Sequence, residues 1–498
     1  MSEYVDVLVV GAGLSGVGAG YWLQKLCPGK SYAIVEARQR KGGTWDLFRY
    51  PGIRSDSDMF TLGYAFKPWT DPKAIADGPS ILRYIDETAR EYGIDEKIRY
   101  GQRMVSAAWS SAEARWTVEI DDAASGARKQ YSCAFLYMCA GYYRYDKGYL
   151  PDFPGMADYR GRLIHPQDWP ADLDYSGKRV IVVGSGATAM TLVPEMAKTA
   201  AHVTMVQRSP TYVVARPSKD AVADWLRAKL PAGLAYWLVR WKNVLFGMYF
   251  YNLCKRSPDK VKAYLLKLVR EQLPADYDVE KHFTPRYKPW DQRLCLITDG
   301  DLFAAIREGR ASVETDTIDR FTAAGLKLAS GKEIDADVIV TATGLQLQML
   351  GGAALTVDGE PVEPARTLNY KGMMFSDVPN LAATFGYTNA SWTLKADLIG
   401  QYVCRILREM DARGAKIVVP HNDDPNMPVE QFVDFSSGYF QRVIDQLPKQ
   451  GARKPWKLYQ NYAKDLLALR YGAVEDGALR FSNPPAAMQS AQAPSEAA

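Results

Sequence analysis

Two glycine-rich turns have the residue types and the spacing that bind phosphate. The first is Gly11-Ala12-Gly13-Leu14-Ser15-Gly16, and the second is Gly184-Ser185-Gly186-Ala187-Thr188-Ala189, with Ala189 in the place of a third glycine. In such a turn the first glycine permits a tight bend, the second lets the backbone approach a pyrophosphate, and the third lets helix and strand pack closely. The helix that follows presents its amides to the phosphates. The sequence therefore predicts two dinucleotide sites.

An acidic residue supports a ligand at the first turn. The strand 31–35 ends at Glu36, 20 residues after Gly16, where a carboxylate can accept hydrogen bonds from ribose hydroxyls. A tight turn without a ligand would leave this carboxylate unexplained. The segment after it, Gly42-Gly43-Thr44-Trp45, resembles the one that runs along the flavin in flavoproteins with two dinucleotides. We therefore expect FAD here, with Gly43, Thr44 and Trp45 in contact with it, although Trp45 could also be a core aromatic residue.

The second turn is followed by a strand that ends without an acid. Residues 202–206 lead into Gln207-Arg208-Ser209. Without a carboxylate there is no repulsion toward a 2′-phosphate, and Arg208 offers that phosphate a planar donor. We therefore expect NADPH rather than NADH at the second site. The alternative is that Arg208 is a solvated cation at the end of a strand.

Composition and charge limit the other classes of function. The chain has 498 residues, 47% hydrophobic and 24% charged, which is typical of a soluble protein of two or three domains. A net charge of +4 without Lys/Arg blocks argues against nucleic acid as a partner. No apolar run approaches the ~20 residues of a membrane span, and the first strand leaves no room for a signal peptide, so we expect a cytoplasmic protein. Six scattered cysteines without a Cys-x-x-Cys pair predict no metal site.

The order of elements predicts an α/β fold with two Rossmann-like dinucleotide-binding domains and a helical insertion. We interpret the strand that ends in Ala342-Thr343-Gly344 as the return of the chain to the first domain, because it parallels the earlier strand ending in Ala140-Gly141. The predicted boundaries are 1–145 and 336–483 for the FAD-binding domain, 146–218 and 289–335 for the NADP-binding domain, 219–288 for the helical insertion, and 484–498 for a disordered tail.

The insertion differs in composition from the rest of the chain. It has helical periodicity, many aromatic residues and many Lys and Arg residues between 219 and 275. We expect it to cover the active site. It could also be a plain amphipathic layer, or its basic aromatic face could make a peripheral contact with a membrane surface.

A third motif lies just before the second glycine turn and carries a family resemblance. Gly161, His165, Trp169 and Pro170 match the fingerprint Phe-x-Gly-x-x-x-His-x-x-x-Trp-Pro/Asp, with Tyr159 in the place of Phe. On these residues the chain resembles the class B flavoprotein monooxygenases, and within them the Baeyer–Villiger monooxygenases. The Trp-Pro ending favours that branch over relatives that oxidise amines and sulfides.

The resemblance implies a reaction and a set of site residues. NADPH would reduce FAD, and the reduced flavin would trap O₂ as a C4a-peroxyflavin that converts a hydrophobic ketone to an ester, with sulfides and thioamides as further substrates. By position, Arg293 matches the catalytic arginine and Asp56 the aspartate that pairs with it. Ser15 and Val105 would contact FAD, and His165 and Trp169 would position the linker and the NADP.

Each of these residues also has a simpler interpretation without a functional role. Asp56 follows Pro51-Gly52 and could be a solvated turn residue, Arg293 could be a surface charge, and His165 could make only structural hydrogen bonds. Trp45-Asp46-Leu47 departs from the Trp-Tyr-Trp of many family members, which bears on the substrate cavity.

The sequence also bears on three other functions and on the state of assembly. One is an N- or S-oxygenase without significant Baeyer–Villiger activity. A flavin disulfide reductase needs a cysteine pair beside the flavin, which this sequence lacks. A redox-sensing scaffold would be colourless when purified. We expect a monomer or weak homo-oligomer.

Overall fold

The computed structural model describes residues 3–292 and 294–485. Its first part begins with a strand, a glycine turn and a helix. Later strands then pair on both sides of that first strand. The Val-rich strand β1 (Glu3–Val10) lies between β2 (Tyr32–Glu36) and β6 (Arg128–Met138) in parallel register, which explains why its apolar run is nearly continuous. The elements are β1 (Glu3–Val10), α1 (Leu14–Leu26), β2 (Tyr32–Glu36), α2 (Thr44–Leu47), α3 (Met59–Leu62), α4 (Gly78–Glu91), β3 (Ile98–Tyr100), β4 (Gln102–Ser110), β5 (Arg115–Asp122) and β6 (Arg128–Met138).

The middle of the chain builds a second sheet, which is parallel, and a group of helices. Its first elements are β7 (Arg162–Ile164), β8 (Arg179–Val183), α5 (Ala187–Met196), β9 (His202–Gln207) and β10 (Tyr212–Arg216). The helices α6 (Ala221–Lys229), α7 (Ala232–Arg256), α8 (Pro258–Arg270) and α9 (Val279–Phe283) follow. Then come β11 (Leu294–Thr298), α10 (Asp301–Arg307), β12 (Ala311–Thr315), β13 (Ile318–Phe321), β14 (Gly325–Leu328), β15 (Glu333–Asp335) and β16 (Val338–Thr341). Because β10 and β11 pair in parallel, the helices leave and rejoin the fold at adjacent strands.

The last part of the chain returns to the first sheet. It comprises β17 (Ala354–Val357), β18 (Glu360–Pro361), β19 (Asn369–Tyr370), β20 (Met374–Phe375), β21 (Leu381–Ala383), α11 (Trp392–Arg413), β22 (Ile417–Pro420), β23 (Val429–Gln431), α12 (Gly438–Gln441), β24 (Lys449–Gly451), α13 (Tyr462–Leu466) and β25 (Leu479–Ser482). Helix α11 lies against α1, where Trp22 Nε1 donates to Asp397 Oδ1 at 3.2 Å.

Two sheets position the site. The larger has the order β18-β17-β4-β5-β6-β1-β2-β3, with β21 also paired to β6. The smaller has the order β12-β9-β8-β16-β7 and is parallel throughout. Each glycine turn follows a central strand at its carboxyl end, which is where open α/β sheets bind ligands.

One predicted position is wrong. The strand β16 was expected to begin the return to the first domain at residue 336, but it pairs with β7 and β8 in the second sheet. Val338–Thr341 is fully buried between two parallel neighbours, and its apolar run therefore suits the centre of either sheet. The return comes later, where β17 pairs with β4.

The structure also tests the expectations for cysteines, membrane-spanning helices and metal sites. All six cysteines are buried and have free thiols. Within residues 3–292 and 294–485, no helix combines the length and the apolar character needed to cross a bilayer. In the same ranges no group of three His, Cys, Asp or Glu residues could hold a metal ion. The predicted tail begins at 484, and from residue 486 onward it lies outside the described residues.

Candidate active site

A cavity of about 1440 Å³ collects most of the predicted site residues. It is bounded by both glycine turns, by the insertion helices α7 and α8, and by the loop 387–392 before α11. The predicted residues that line it are Gly11, Gly13, Ser15, Glu36, Gly43, Thr44, Trp45, Asp56, Ser185, Gly186, Thr188 and Arg208. A single space therefore faces both turns, although they are about 170 residues apart in the chain.

The first glycine turn is held against Glu36 by backbone hydrogen bonds. Gly11, at φ +103°, donates its N–H to the carbonyl of Val35 at 2.8 Å, and a Cβ at Gly11 would lie 2.6 Å from the carbonyl oxygen of Cys139. Only glycine tolerates that conformation and that contact. The Ala12 N–H donates to Glu36 Oε2 at 2.7 Å. The turn and the carboxylate are thus one unit.

Glu36 is prepared to bind a polar ligand group. Its side chain is 5% exposed, and burial raises the pKa of its carboxyl, while the N–H groups of Ala12 and Arg38 oppose that rise. Each carboxylate oxygen accepts one backbone hydrogen bond and retains a further lone pair. Because Glu36 lines the cavity, those lone pairs suit the hydroxyls of a ribose.

The segment 42–45 packs directly on the first turn. Gly42 donates its N–H to the carbonyl of Ala12 at 3.0 Å, and a Cβ at Gly43 would lie 3.1 Å from Gly13 Cα. This close approach of two backbones leaves the start of α2, with Thr44 and Trp45, facing the cavity. The predicted flavin-contacting residues are therefore adjacent to the predicted pyrophosphate turn.

The second turn repeats the geometry of the first. Gly184, at φ +132°, donates its N–H to the carbonyl of Val206 at 2.8 Å, and a Cβ there would lie 2.3 Å from the carbonyl oxygen of Ala342. A Cβ at Gly186 would meet nothing within 4 Å. Open space at the start of α5 is the feature that a bound phosphate requires.

Arg208 and Gln207 have different roles at the end of β9. The side chain of Gln207 is buried and donates to the carbonyl of His282 at 2.7 Å and to Thr315 Oγ1 at 2.9 Å. Arg208 is exposed, lines the cavity, and makes no ion pair with any residue in the described ranges. The guanidinium is therefore the group at this strand end that is available to an anionic ligand.

His165 lies outside the cavity and joins the linker to the end of β16. Its Nε2 is 3.2 Å from the carbonyl oxygen of Gly344, and its Nδ1 accepts the Gln167 N–H at 3.2 Å. This pattern corresponds to a neutral ring that carries its proton on Nε2. Burial lowers the pKa of His165, which favours the same neutral form. Because Gly344 lines the cavity, His165 can act on the site by positioning that residue.

Five other predicted residues do not line the cavity. Trp169 packs against the core of the second sheet, and Ala189 is fully buried in α5. Gly16 and Gly184 pack against backbone on the side of their turns away from the cavity. A Cβ added at either position would clash with a backbone carbonyl oxygen. Val105 lies at an irregularity in the pairing of β4 with β5, next to Met104, which does line the cavity.

Asp56 lines the cavity, whereas Arg293 lies outside the described residues. The neighbours Gln292 and Leu294 line the cavity from the start of β11. The pairing of Asp56 with Arg293 stays a prediction.

Two residues around the first turn were not predicted from the sequence. Trp392 donates from Nε1 to Ser15 Oγ at 2.7 Å and lines the cavity, as does Tyr145, whose burial raises its pKa to about 12. Both are far from the turn in sequence, and the only local signal was their place in loops rich in aromatic and small residues.

Comparison with known proteins identifies the family. Residues 71–350 match the FMO-like family, described as flavin-binding monooxygenase-like, and residues 9–71 match an NAD(P)-binding Rossmann-like domain. The chain is 54% identical over 487 residues to the FAD-containing monooxygenase EthA of Mycobacterium tuberculosis, covering 98% of this chain and 99% of that protein. The chain belongs to the flavin-binding monooxygenase family. EthA of Mycolicibacterium smegmatis is 53% identical over 489 residues, with coverages of 98% and 99%.

Two solved monooxygenase structures share the fold. A steroid monooxygenase bound to NADP superposes with a TM-score of 0.76 at 22% identity, covering 96% of this chain and 100% of that chain. The open form of cyclohexanone monooxygenase gives a TM-score of 0.70 at 19% identity, with coverages of 85% and 91%. The predicted flavoprotein monooxygenase family, the fold class and the class of enzyme are confirmed.

Proposed function

We propose that the chain is an NADPH- and O₂-dependent FAD monooxygenase of the Baeyer–Villiger type, which inserts an oxygen atom into hydrophobic ketones and also oxidises sulfides or thioamides. The observation that carries this proposal is that both glycine turns, the Asp56 loop and the residues flanking Arg293 open into one cavity. Two dinucleotides bound at these turns would meet in that space. The family relationship supports the same cofactors, since relatives are FAD-containing monooxygenases.

The residues present fit FAD and NADPH. At the first turn, the backbone of Gly13, the N-terminus of α1 and the remaining lone pairs of Glu36 match a pyrophosphate and a ribose. At the second, the open space at Gly186 matches a pyrophosphate, and Arg208 matches a 2′-phosphate. When bound, FAD supplies the two-electron and O₂ chemistry, with NADPH as the hydride source.

The chain's own residues would bind the cofactors, orient the substrate and stabilise the charge that develops during the reaction. By the family resemblance, Arg293 would supply a permanent positive charge where negative charge develops during attack on a carbonyl. Asp56 would hold that guanidinium in place. Trp45 and Trp392 give the cavity apolar walls that reduce the access of water. In such surroundings a positive charge stabilises a nearby negative charge more strongly.

The experiment that tests this function is a panel of ketones and sulfides incubated with the purified protein, NADPH and air, with products identified by mass spectrometry. We expect esters or lactones from apolar ketones and sulfoxides from sulfides. Sulfoxides alone, from a panel that includes cyclic and long-chain ketones, would select the N- or S-oxygenase instead.

The insertion supports a contact with a membrane surface, which we also propose. Helix α7 carries Leu234, Trp237, Leu245 and Tyr249 at intervals of three, eight and four residues, so they share one face, and they are 47–65% exposed. Between Lys219 and Arg270 eleven Lys and Arg residues accompany three Asp residues, a net charge of +8. An apolar stripe with exposed Trp and surrounding cations suits the interface of an anionic bilayer.

Vesicle binding checks this contact. The protein is expected to sediment with vesicles that contain phosphatidylglycerol and less with pure phosphatidylcholine, because both the stripe and the charge contribute. The double variant Trp237→Gln/Leu245→Gln should lose most of the binding, whereas Tyr4→Gln, an exposed aromatic on β1, should not. Equal sedimentation of the double variant and the wild type would rule out the exposed face of α7 as the membrane-binding surface.

A further inference from the structure

A second cavity of about 300 Å³, here called the side cavity, lies next to the main one. It is enclosed by the loop before α11 and by the segments 454–460 and 464–476. Its floor is apolar and consists of Phe385, Phe432, Leu458 and Leu469. The volume is at the lower end of the range for ligand pockets, which corresponds to a small ligand.

Five lysines and two aspartates line the side cavity, and three of those lysines are neutralised. Lys371 pairs with Asp476 at 2.8 Å, and Lys395 pairs with Asp465 at 2.8 Å. Lys457 pairs with Glu430, which lies outside the cavity lining. These pairs account for every carboxylate that lines the side cavity.

The other two lysines, Lys454 and Lys464, form no ion pair within the described ranges. Their ammonium groups lie 5.7 and 4.4 Å from the ring centroid of Tyr459, and so no more than about 10 Å from each other. Both lysines are exposed, and the face of one phenol ring compensates their charges only in part. A ligand with negative charge near them would pair with two ammonium groups that have no carboxylate partner among the described residues.

The side cavity and the main cavity share a wall. Tyr387, Tyr459, Gln460 and Lys464 line both. Gln460 Oε1 accepts the Thr388 N–H at 3.1 Å, and the Gln460 carbonyl accepts from Asn389 Nδ2 at 3.0 Å. A ligand that presses on Gln460 would therefore act on the loop that forms one side of the main cavity.

We propose that the side cavity binds a small amphipathic carboxylate, with its hydrocarbon chain on the apolar floor and its carboxylate between Lys454 and Lys464. The bound anion contacts the shared wall and so changes the affinity of the main cavity for its own ligands. The binding step does not depend on the proposed monooxygenase reaction, whereas the effect on a ketone substrate rests on it.

Titration calorimetry on the FAD-loaded protein tests the binding step with octanoate, octanol and inorganic phosphate as probes. Octanoate is expected to bind with one-to-one stoichiometry and at least about 10-fold more tightly than octanol, which lacks the charge, or phosphate, which lacks the chain. Lys454→Gln and Lys464→Gln should each weaken octanoate about 10-fold, the effect of losing one charge-assisted contact. Lys97→Gln removes an exposed lysine far from the cavity in sequence and should change nothing.

A cavity-filling variant separates this site from the main cavity. Ala468 lines only the side cavity, and Ala468→Phe should abolish octanoate binding while the flavin absorbance and the melting temperature remain normal. Octanoate should also shift the KM for a ketone in the wild type but not in this variant. Equal affinity for octanoate and octanol, or unchanged octanoate binding in both Lys→Gln variants, would overturn the proposal whether or not Ala468→Phe folds.

Discussion

Replacing Arg293 with alanine is expected to abolish ester formation while NADPH still bleaches the bound flavin. The guanidinium is effectively always protonated, and its charge is needed only when negative charge develops on the reacting oxygen atoms. Loss of one such group in a water-poor site costs ~3–4 kcal/mol, which is a rate loss of several hundredfold. Hydride transfer is expected to depend on other residues, chiefly those at the two turns. Stopped-flow spectra should therefore show reduction by NADPH and reoxidation by O₂ without an ester product.

Two further variants test whether the effect is specific to the side chain of Arg293. Arg293→Lys keeps the charge but loses the planar fork, so partial ester formation is expected. Arg286→Ala removes an exposed arginine that does not line the cavity and should behave as the wild type. A normal ester yield from Arg293→Ala would show that the catalytic cation is a different residue.

Gly186→Ala is expected to raise the KM for NADPH and for NADH by ~10-fold or more without loss of FAD. The backbone there has φ −80°, and an added Cβ meets no protein atom within 4 Å, so alanine fits the fold. It would instead occupy the space in which a pyrophosphate approaches the turn. Unchanged KM values for both cofactors, with a normal melting temperature, would mean that no dinucleotide uses this turn. Gly184→Ala cannot replace it in this test, because the added Cβ would meet a backbone carbonyl at 2.3 Å.

Arg208→Ala completes the test of the second site by separating the two nicotinamide cofactors. Losing one charge-assisted contact to the 2′-phosphate should cost ~1.5–3 kcal/mol of NADPH affinity and leave NADH unaffected. Steady-state kinetics with both cofactors measure the difference. A preference that remains as strong as in the wild type would place the 2′-phosphate elsewhere.

The parts of the site that follow from sequence are local. Gly11, Gly13, Glu36 and the segment 42–45 lie within one strand–turn–helix–strand unit, so their mutual placement is set by a few hydrogen bonds over about 35 residues. The same is true of Gly186 and Arg208. Each of these residues was expected at a dinucleotide site, and each lines the cavity.

Contacts between distant segments did not follow from sequence. Trp392 reaches Ser15 across 377 positions, and no periodicity or spacing connects two such residues. The placement of β16 failed for a related reason, because a short buried parallel strand has the same apolar pattern in either sheet. Gln207 was noted only as the absence of an acid, and its role in binding the carbonyl of His282 required the packed structure.

Oxygen labelling tests the central claim, that one cavity couples NADPH oxidation to insertion of an oxygen atom from O₂ into a ketone. The purified protein is incubated with an apolar ketone, NADPH and ¹⁸O₂ in unlabelled water, and the product is analysed by mass spectrometry. We expect an ester or lactone that carries one ¹⁸O atom, formed with NADPH consumption. NADPH consumed with hydrogen peroxide as the only product across the ketone panel would contradict it.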